Sequence, residues 1–258
     1  MCQDLLSSHT LPAGPRFWFT PARLAGRLAG MRIIVTAGPT REYIDDVRFI
    51  SNASSGRMGY AVAAAAAAAG HEVTLLSGPG VGLADPPGCW VVRLVSVDDL
   101  RAALAARFAE CDALVMTAAV GDFRPVQRVA GKIPRSGGPV TVQLVPTEDI
   151  LAAVTADKRP GQVVVAFAVE TLPPAEAAEK ARAEMRNKGA DFVVVNGSEA
   201  MEAPRSRACV LDDAGVVLEW ETRSKEELAR EIVRLVEGER RNLEQGTRNP
   251  EKQNGGIG

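Results

Sequence analysis

The stretch RIIVTAGPT, residues 32–40, leads through a polar loop into SSGRMGYAVAAAAAAAG, residues 54–70, and decides the fold of this chain. Its first five residues have the short, β-branched apolar pattern of a buried strand. Its second part is rich in alanine, the best helix former, so we expect a helix over Gly59–Ala69 that Gly70 ends. A strand, a loop of small polar residues and a helix together indicate an α/β fold.

The rest of the chain repeats this alternation. Strands are expected at Arg32–Thr36, Glu72–Ser77, Trp90–Leu94, Ala113–Thr117, Val140–Val145, Val163–Phe167 and Phe192–Val195, and helices at Val97–Phe108, Glu148–Ala156, Ala175–Lys188 and Ser224–Glu237. Ala208–Asp212 and Val216–Glu221 flank a turn and predict a hairpin. We therefore predict an α/β, Rossmann-like, doubly wound and mostly parallel sheet with a β-hairpin arm.

A long loop separates the expected strands Ala113–Thr117 and Val140–Val145. It runs over about twenty residues, and loops of that length inside a compact domain are usually functional. Residues 1–30 carry prolines and glycines without periodicity and are expected to be a disordered extension. Residues 31–237 are expected to form the folded domain, and the polar residues 238–258 a disordered tail.

Composition excludes several classes of protein. The formal net charge of −2 gives no basic footprint for nucleic acid. The 4 cysteines lie far apart and there are only 2 histidines, so no zinc site is expected and the thiols should be reduced. No apolar run is long enough to span a membrane, and no signal peptide is recognised. We therefore expect a cytoplasmic protein.

In parallel sheets ligands bind outside the carboxyl ends of the strands. The loops after Thr36, Thr117 and Phe167 should therefore line one crevice. Ser54-Ser55-Gly56 opens the first helix, where small residues and free amides suit a phosphate. From spacing alone, a serine that simply caps the helix is an equally good interpretation.

The string TAGPTREYIDDVRFISNASSGRMG, residues 36–59, closely resembles the opening of bacterial phosphopantothenate–cysteine ligase. The resemblance continues in the family's order over roughly residues 31–235. It is carried by AAVGDFR at 118–124, Lys132-Ile133, Glu148-Asp149-Ile150, FAVET at 167–171, KGAD at 188–191 and Asn196.

The resemblance implies a two-step reaction. The carboxylate of phosphopantothenate attacks the α-phosphate of CTP, which gives an acyl-cytidylate and pyrophosphate, and the cysteine amine then displaces CMP. Magnesium would bridge the phosphates without a dedicated protein cage. The family implies a homodimer with the hairpin arm Ala208–Glu221 reaching across. It also implies a flavin-dependent decarboxylase, usually fused, which we expect here as a separate protein. ATP is the alternative nucleotide.

Three residues match the family's catalytic positions. Asn52 would donate to the acyl oxygen, although an asparagine there also suits a loop turn. Arg48 suits a phosphate or carboxylate, and Lys132 would follow the charge of the departing pyrophosphate. Without the resemblance, surface roles would be favoured for both cations. Nucleotide contacts are expected from Gly38, Ser54, Ser55, Gly56, Ala118, Ala119, Asp122, Lys132, Glu148, Asp149, Ile150, Phe167 and Lys188.

Two positions depart from the family pattern. The family usually reads Lys-Ile-Lys-Lys where this chain reads Lys132-Ile-Pro-Arg135, and a companion lysine one turn before Lys188 is replaced by Glu184. Both changes remove positive charge from the expected nucleotide site. Lys180, two turns before Lys188, compensates only if the helix geometry allows it.

Two other functions remain open from the residues. A nicotinamide-dependent oxidoreductase fits the fold pattern, but the chain lacks GxGxxG after the first strand and a Tyr-x-x-x-Lys pair. A nucleotide-binding module without ligase activity would fit the two lost lysines.

Overall fold

The computed structural model describes residues 30–135, 138–198 and 203–246. The elements in chain order are β1 (Arg32–Ala37), β2 (Arg41–Tyr43), β3 (Phe49–Ser51), α1 (Arg57–Ala68), β4 (Glu72–Ser77), β5 (Cys89–Arg93), α2 (Val97–Ala105), a 3₁₀ turn (Phe108–Glu110), β6 (Ala113–Met116), β7 (Phe123–Pro125), β8 (Leu144–Pro146), α3 (Ile150–Thr155), β9 (Val163–Val169), α4 (Pro174–Asn187), β10 (Phe192–Asn196), β11 (Arg205–Leu211), β12 (Val216–Ser224) and α5 (Lys225–Glu244). The predictions for residues 1–29 and 247–258 lie outside the described residues.

Eight strands form the central sheet in the order β12-β11-β10-β9-β6-β1-β4-β5. Strands β5, β4, β1, β6, β9 and β10 are parallel, and β11 and β12 are antiparallel. The predicted Rossmann-like, mostly parallel sheet is therefore confirmed. The strand order reverses between β1 and β6, which is where such sheets open a ligand crevice.

Alternating side chains of β1 reach two separate cores. Ile33 and Val35 pack with α1 and α5 on one face, whereas Ile34 packs with α2, α3 and α4 on the other. Successive strand residues point to opposite faces, so one apolar run supplies both cores. The alanines of α1 fit this arrangement because their small side chains let the helix lie close to the sheet.

The predicted hairpin is present as β11 and β12 and belongs to the central sheet. Strands β10 and β11 are joined by four residue pairs, of which the first is Val193 with Leu211 and the last is Asn196 with Ala208. The hairpin therefore forms an edge of the sheet within this chain. The register shifts between Ala208 and Val210, which marks an irregularity in the ladder.

Two expectations were wrong. No strand covers 140–143, and β8 instead begins at Leu144 and pairs with β7 inside the long loop. The supposed polar tail is helical from 238 to 244, because α5 continues to Glu244. Gly238 is tolerated inside this helix, and Arg240 stabilises its last turn by an ion pair with Glu244 at 2.9 Å. In the described part of the chain, no helix combines the length and apolar character needed to cross a membrane.

Candidate active site

A cavity of about 540 Å³ opens at the carboxyl ends of β6, β9 and β10, beside the start of α1. Most of the residues expected from the sequence line it. They are Asn52, Ser54, Gly56, Ala118, Ala119, Asp122, Glu148, Asp149, Ile150, Phe167 and Lys188. The structure thus brings together loops that are up to 136 positions apart in the sequence, from Asn52 to Lys188.

The loops after β1 and β6 are joined at the switch point. Pro39 forms a bridge with Ala119, and the Ala118 amide donates to the Thr36 hydroxyl at 3.0 Å. Helix α1 lies directly against this junction, because a Cβ at Gly59 would come within 2.5 Å of Thr117 Oγ1 and 2.7 Å of the Thr36 carbonyl oxygen. A glycine at this position therefore fixes the distance between α1 and the strand ends.

Asn52 lies on the loop between β3 and α1. Its Nδ2 donates to the carbonyl oxygen of Val120 at 2.8 Å, and its side chain borders the cavity. The hydrogen bond fixes the carboxamide over the loop Ala118–Asp122. Asn52 is thus placed beside the predicted nucleotide loop.

Arg48 and Lys132 do not line this cavity. Arg48 Nη2 donates to the carbonyl oxygen of Ile133, the neighbour of Lys132, at 3.1 Å. Both side chains are on the exposed surface, where the long loop meets the turn between β2 and β3. Arg48 therefore contacts the backbone next to Lys132, and the two residues lie outside the cavity wall.

Asp45 holds that cluster together, and the sequence analysis missed it. Its side chain is 0% exposed and accepts hydrogen bonds from the amides of Val47 (2.8 Å), Arg48 (2.6 Å) and Ile133 (3.1 Å). Burial alone would raise the pKa of this carboxyl group, but these amides and the Arg48 guanidinium outweigh burial and hold the pKa below its usual value. Asp45 therefore acts as an ionised anchor for the long loop.

Asp46 makes a second attachment of the long loop. It accepts from Arg128 at 2.9 Å and from the Gly131 amide at 2.8 Å, and these contacts lower the pKa of its carboxyl group. The two ends of residues 128–131, just before Lys132, are thereby attached to the turn between β2 and β3. The pattern of apolar residues does not predict this attachment of the long loop, because the contacts depend on two adjacent aspartates in a loop.

Gly38 and Ser55 also do not line the cavity. Gly38 has a positive φ of 77° and packs beneath the Val81 side chain, behind Gly56. Gly38 therefore shapes the turn that follows β1 and does not border the cavity itself.

Lys188 ends α4 and forms an ion pair with Asp149 at 3.1 Å. Asp149 also caps α3 by accepting from the Ala152 amide at 3.0 Å. Lys180 does not replace the lost lysine, since it binds Glu170 at 2.7 Å and Glu184 at 3.7 Å and does not line the cavity. The expected nucleotide site therefore carries less positive charge here than the family pattern predicts.

Further cavity residues were not anticipated. Arg57, Ser206 and Lys225 also line the cavity, and they come from α1, β11 and α5. Lys225 is only 6% exposed. A lysine at the start of an amphipathic helix normally indicates a solvated charge, so no sequence signal marks its burial.

The remaining features carry no chemistry of their own. Within the described ranges, no group of three or more His, Cys, Asp or Glu residues is arranged to hold a metal ion. Burial raises the pKa of Cys111 and of Cys209 to about 11, so both thiols stay protonated at neutral pH. A second cavity of about 840 Å³ lies between α1, α5 and the β4–β5 loop, away from the predicted site residues.

Comparison with known proteins gives a consistent result. Residues 28–239 match the family model described as the DNA/pantothenate metabolism flavoprotein C-terminal domain. The coenzyme A biosynthesis bifunctional protein CoaBC of Mycobacterium bovis is 42% identical over 219 residues, which cover 81% of this chain and 52% of that protein. The chain thus spans about half the length of the curated relatives that it matches.

Solved structures show the same fold. The crystal structure of the C-terminal domain of CoaBC superimposes with a TM-score of 0.69 at 35% identity, and the match covers 84% of this chain and 98% of that one. A Cab2 variant in complex with phosphopantothenate-cysteine has a TM-score of 0.69 at 15% identity, covers 86% of this chain and 90% of that one, and supports the fold alone.

Proposed function

This chain belongs to the family of the DNA/pantothenate metabolism flavoprotein C-terminal domain, and from that membership we propose that it is a phosphopantothenate–cysteine ligase of coenzyme A biosynthesis. The observation that carries the proposal is the cavity at the switch point, which gathers the loops of the family motif into one site. The 42% identity to a CoaBC protein of coenzyme A biosynthesis supports it. An oxidoreductase is not favoured, because the turn after β1 reads Ala-Gly-Pro-Thr and lacks GxGxxG.

The proposed reaction proceeds in two steps. A carboxylate oxygen of phosphopantothenate attacks the α-phosphate of CTP, and pyrophosphate leaves. The cysteine amine then attacks the acyl carbon of the cytidylate, loses a proton and displaces CMP. A carboxylate is a poor acyl donor, so the chain must position the two substrates and neutralise the triphosphate charge.

Asn52 is proposed to act on the acyl group. Its carboxamide borders the cavity and is fixed by its hydrogen bond to Val120, so it can donate to the acyl oxygen without reorganising. Arg48 and Lys132 are proposed to meet the triphosphate from outside the cavity wall. Their shared attachment through Ile133 and Asp45 means that movement of the long loop displaces both cations together.

The nucleotide is proposed to lie along the loops that follow β1, β6 and β9. Ser54, Ser55 and Gly56 would offer polar groups to the phosphates, and Phe167 would pack on the ribose or base. Gly38, Ala118, Ala119, Asp122, Glu148, Asp149, Ile150 and Lys188 complete the proposed set. Phe167 is half-buried, and it both packs on the core and lines the cavity, so its two predicted roles are compatible.

Magnesium is proposed to arrive with the nucleotide. Asp122, Glu148 and Asp149 line the cavity but do not gather into a group of three that would hold an ion by themselves. The chemistry of this donor set fits an ion that keeps its phosphate and water ligands. CTP is proposed over ATP because the Ala-Gly-Pro-Thr and Ser-Asn-Ala-Ser-Ser-Gly strings resemble those of the bacterial enzymes.

The assembly and its surroundings are also proposals. A homodimer is proposed through the hairpin Ala208–Glu221, whose strand β12 forms an outer edge of the sheet. Light scattering should then give twice the chain mass of 27.3 kDa. A flavin-dependent decarboxylase is proposed to act next in the pathway, in the cytoplasm, since the bifunctional relatives belong to the same biosynthesis.

Turnover tests the proposal. The purified protein is supplied with phosphopantothenate, cysteine, magnesium and either CTP or ATP, and both pyrophosphate and the ligated product are measured. CTP should support turnover, and Asn52→Ala should lower kcat about 100-fold if the carboxamide stabilises the acyl oxygen. Asn187→Ala, at an exposed position of α4, is the matched control. Turnover with ATP alone would contradict the choice of CTP as the nucleotide. No turnover in a folded protein would contradict the ligase function.

A further inference from the structure

The loop between β4 and β5, residues 78–88, lies against the turn that follows β1. A Cβ at Gly78 would overlap the carbonyl oxygen of Pro39, so the two backbones are in direct contact at the start of the loop. Pro39 in turn forms the bridge with Ala119, which lines the cavity of about 540 Å³. The loop itself contributes no residue to the wall of that cavity. It therefore contacts the site from outside the cavity.

Val81 is the residue of this loop that reaches two glycines beside the site. Its Cγ2 atom would come within 2.6 Å of a Cβ at Gly38, and its Cγ1 and Cγ2 atoms within 2.9 and 2.8 Å of a Cβ at Gly56. Both glycines have a positive φ, of 77° and 71°. The methyl groups of Val81 thus occupy the space where side chains at these positions would lie. Because Gly56 lines the cavity, a displacement of Val81 is transmitted to the cavity wall.

The turn at residues 52–56 depends on this packing. Gly56 is the N-cap of α1, and a glycine has no side chain to accept a hydrogen bond from the first turn of the helix. The Ser54 hydroxyl accepts from the Gly56 amide at 3.4 Å, which is long for a hydrogen bond. At the other end of the turn, Asn52 donates to Val120 at 2.8 Å. Contact with Val81 therefore constrains the end of the turn that enters α1.

Arg93, the last residue of β5, fixes the loop that carries Val81. Its Nη1 donates to the Tyr60 hydroxyl at 2.6 Å and to the Ser77 hydroxyl at 3.2 Å, and its Nη2 pairs with Asp85 in the loop. The Tyr60 and Ser77 hydroxyl oxygens lie 2.9 Å apart, and both residues are buried. One guanidinium thus joins α1, the end of β4 and the loop. Val81 lies between Ser77 and Asp85 in the chain, so this network limits its movement.

We propose that Val81 is a positioning residue of the active site, which holds the turn at residues 52–56 in the conformation that receives the substrates. Valine suits this role because branching at Cβ restricts its χ1 angle, so both methyl groups stay in fixed positions against the two glycines. The assignment rests on the proposed ligase function and deepens it, since it names how Asn52 is kept in place. Val81 acts through the turn and does not border the cavity itself.

A double-mutant cycle with Asn52 tests the assignment. Val81→Ala removes both methyl groups and should lower kcat about tenfold, because a small displacement of the turn misplaces the Asn52 carboxamide. In an Asn52→Ala background the same change should lower kcat less than about twofold, since the effects of residues that act through one group are not additive. Val81→Ile keeps both γ-carbons and should keep kcat within about twofold of the parent value. Equal losses of kcat in the two backgrounds would contradict the assignment.

Leu83→Ala is the matched control in the same loop. Leu83 packs, partly buried, against the same core as Val81 and lines the second cavity. Its replacement removes more apolar atoms, so it should lower the melting temperature at least as far as Val81→Ala does. It should leave kcat and the KM for CTP within about twofold of the parent values. A loss of kcat in Leu83→Ala equal to that in Val81→Ala would attribute the effect to a loosened loop and contradict the assignment.

Hydrogen exchange followed by mass spectrometry makes the test independent of turnover. Val81→Ala should speed amide exchange about fivefold or more in peptides that cover residues 52–60, and it should leave peptides that cover β10 unchanged. If the parent protein shows no turnover, this local change would support the positioning role of Val81 and contradict the ligase function. Unchanged exchange at residues 52–60 would contradict the positioning role, whether or not the protein turns over. Equally faster exchange in β10 would show a general loss of stability and would contradict that role as well.

Discussion

At the scale of single residues, Asp45 controls how the long loop is placed. Its buried carboxylate joins the β2–β3 turn to Ile133 through backbone amides, and Arg48 and Lys132 flank those contacts. Replacing Asp45 with asparagine would keep the size of the side chain but remove its charge. The structural consequence should appear in the loop and in both proposed triphosphate cations.

Asp45→Asn should lower the melting temperature at neutral pH, with a dependence on pH that follows from its pKa. Because the folded pKa lies below the unfolded value of about 3.9, the ionised group stabilises the fold above that pH and loses this effect as the pH falls through the folded pKa. The difference in melting temperature between parent and variant should therefore shrink below pH ~4. Thermal denaturation from pH 7 to pH 3 measures it.

Asp98→Asn is the matched control for that measurement. The Asp98 side chain is 70% exposed and its ion pair with Arg101 spans 3.7 Å, so its replacement should have little effect at any pH. A difference for Asp45→Asn that stays constant down to pH 3 would contradict the role of its charge.

At the scale of elements, the close approach of α1 to the sheet is set by Gly59. In Gly59→Ala, the new Cβ would come within 2.7 Å of the Thr36 carbonyl oxygen, so α1 has to move away from the switch point. We expect the free energy of unfolding to fall by about 1–3 kcal/mol, a cost typical of overpacking. Urea denaturation measures the change.

Gly238→Ala provides the control of opposite sign. A Cβ at Gly238 meets no atom within 4 Å, and the residue lies inside α5. Alanine should therefore stabilise the protein by about 0.5–1 kcal/mol through helix propensity. No gain in stability for Gly238→Ala would show that α5 ends before residue 238, as the sequence had suggested. An unchanged stability for Gly59→Ala would show that the contact at Gly59 does not hold α1 against the sheet.

The two departures from the family motif concern the long loop and α4. Pro134→Lys and Glu184→Lys each restore a positive charge, and Glu184→Lys also removes a carboxylate that faces Lys180 at 3.7 Å. Each should tighten CTP binding about two- to fivefold, an effect in the range of exposed charge pairs and weakened by salt. Calorimetric titration with CTP at two salt concentrations measures it.

Glu179→Lys is the control for charge alone, because Glu179 is an exposed residue of the same helix outside the cavity. An equal gain in Glu179→Lys would attribute the effect to net charge. No gain in either Pro134→Lys or Glu184→Lys would contradict the placement of the triphosphate near these elements.

The sequence predicted elements well where burial imposes a pattern. Strands such as Glu72–Ser77 are buried on both faces and have the expected bounds. The short strands β2 and β3 were missed because their three-residue segments are half-exposed and carry no apolar run. The strand expected at Val140–Val145 was misplaced because β8 depends on pairing with β7, which local preference does not reveal.

The site residues that belong to contiguous sequence motifs could be predicted from the sequence. Asn52 and the residues around Ala118, Glu148 and Lys188 form contiguous motifs, and the switch point brings them together. Asp45, Ser206 and Lys225 were not found, because their roles depend on burial and on partners from distant elements. A buried lysine and an exposed one look alike in a sequence.

At the scale of the whole molecule, the sheet explains how one site can take the three proposed substrates. The reversal of strand order between β1 and β6 opens the crevice, and the loops after β6 and β9 line it together with the first turns of α1 and α5. The proposed nucleotide and the phosphorylated acid would share this crevice, and cysteine would enter once the acyl group is activated.

Detection of the acyl-cytidylate tests this account most directly. The protein is incubated with phosphopantothenate, CTP and magnesium without cysteine, and the mixture is analysed by mass spectrometry together with released pyrophosphate. We expect an acyl-cytidylate in an amount close to one per active site, which disappears with release of CMP when cysteine is added. Pyrophosphate release that never yields this intermediate, or formation of product without any cleavage of CTP, would contradict it.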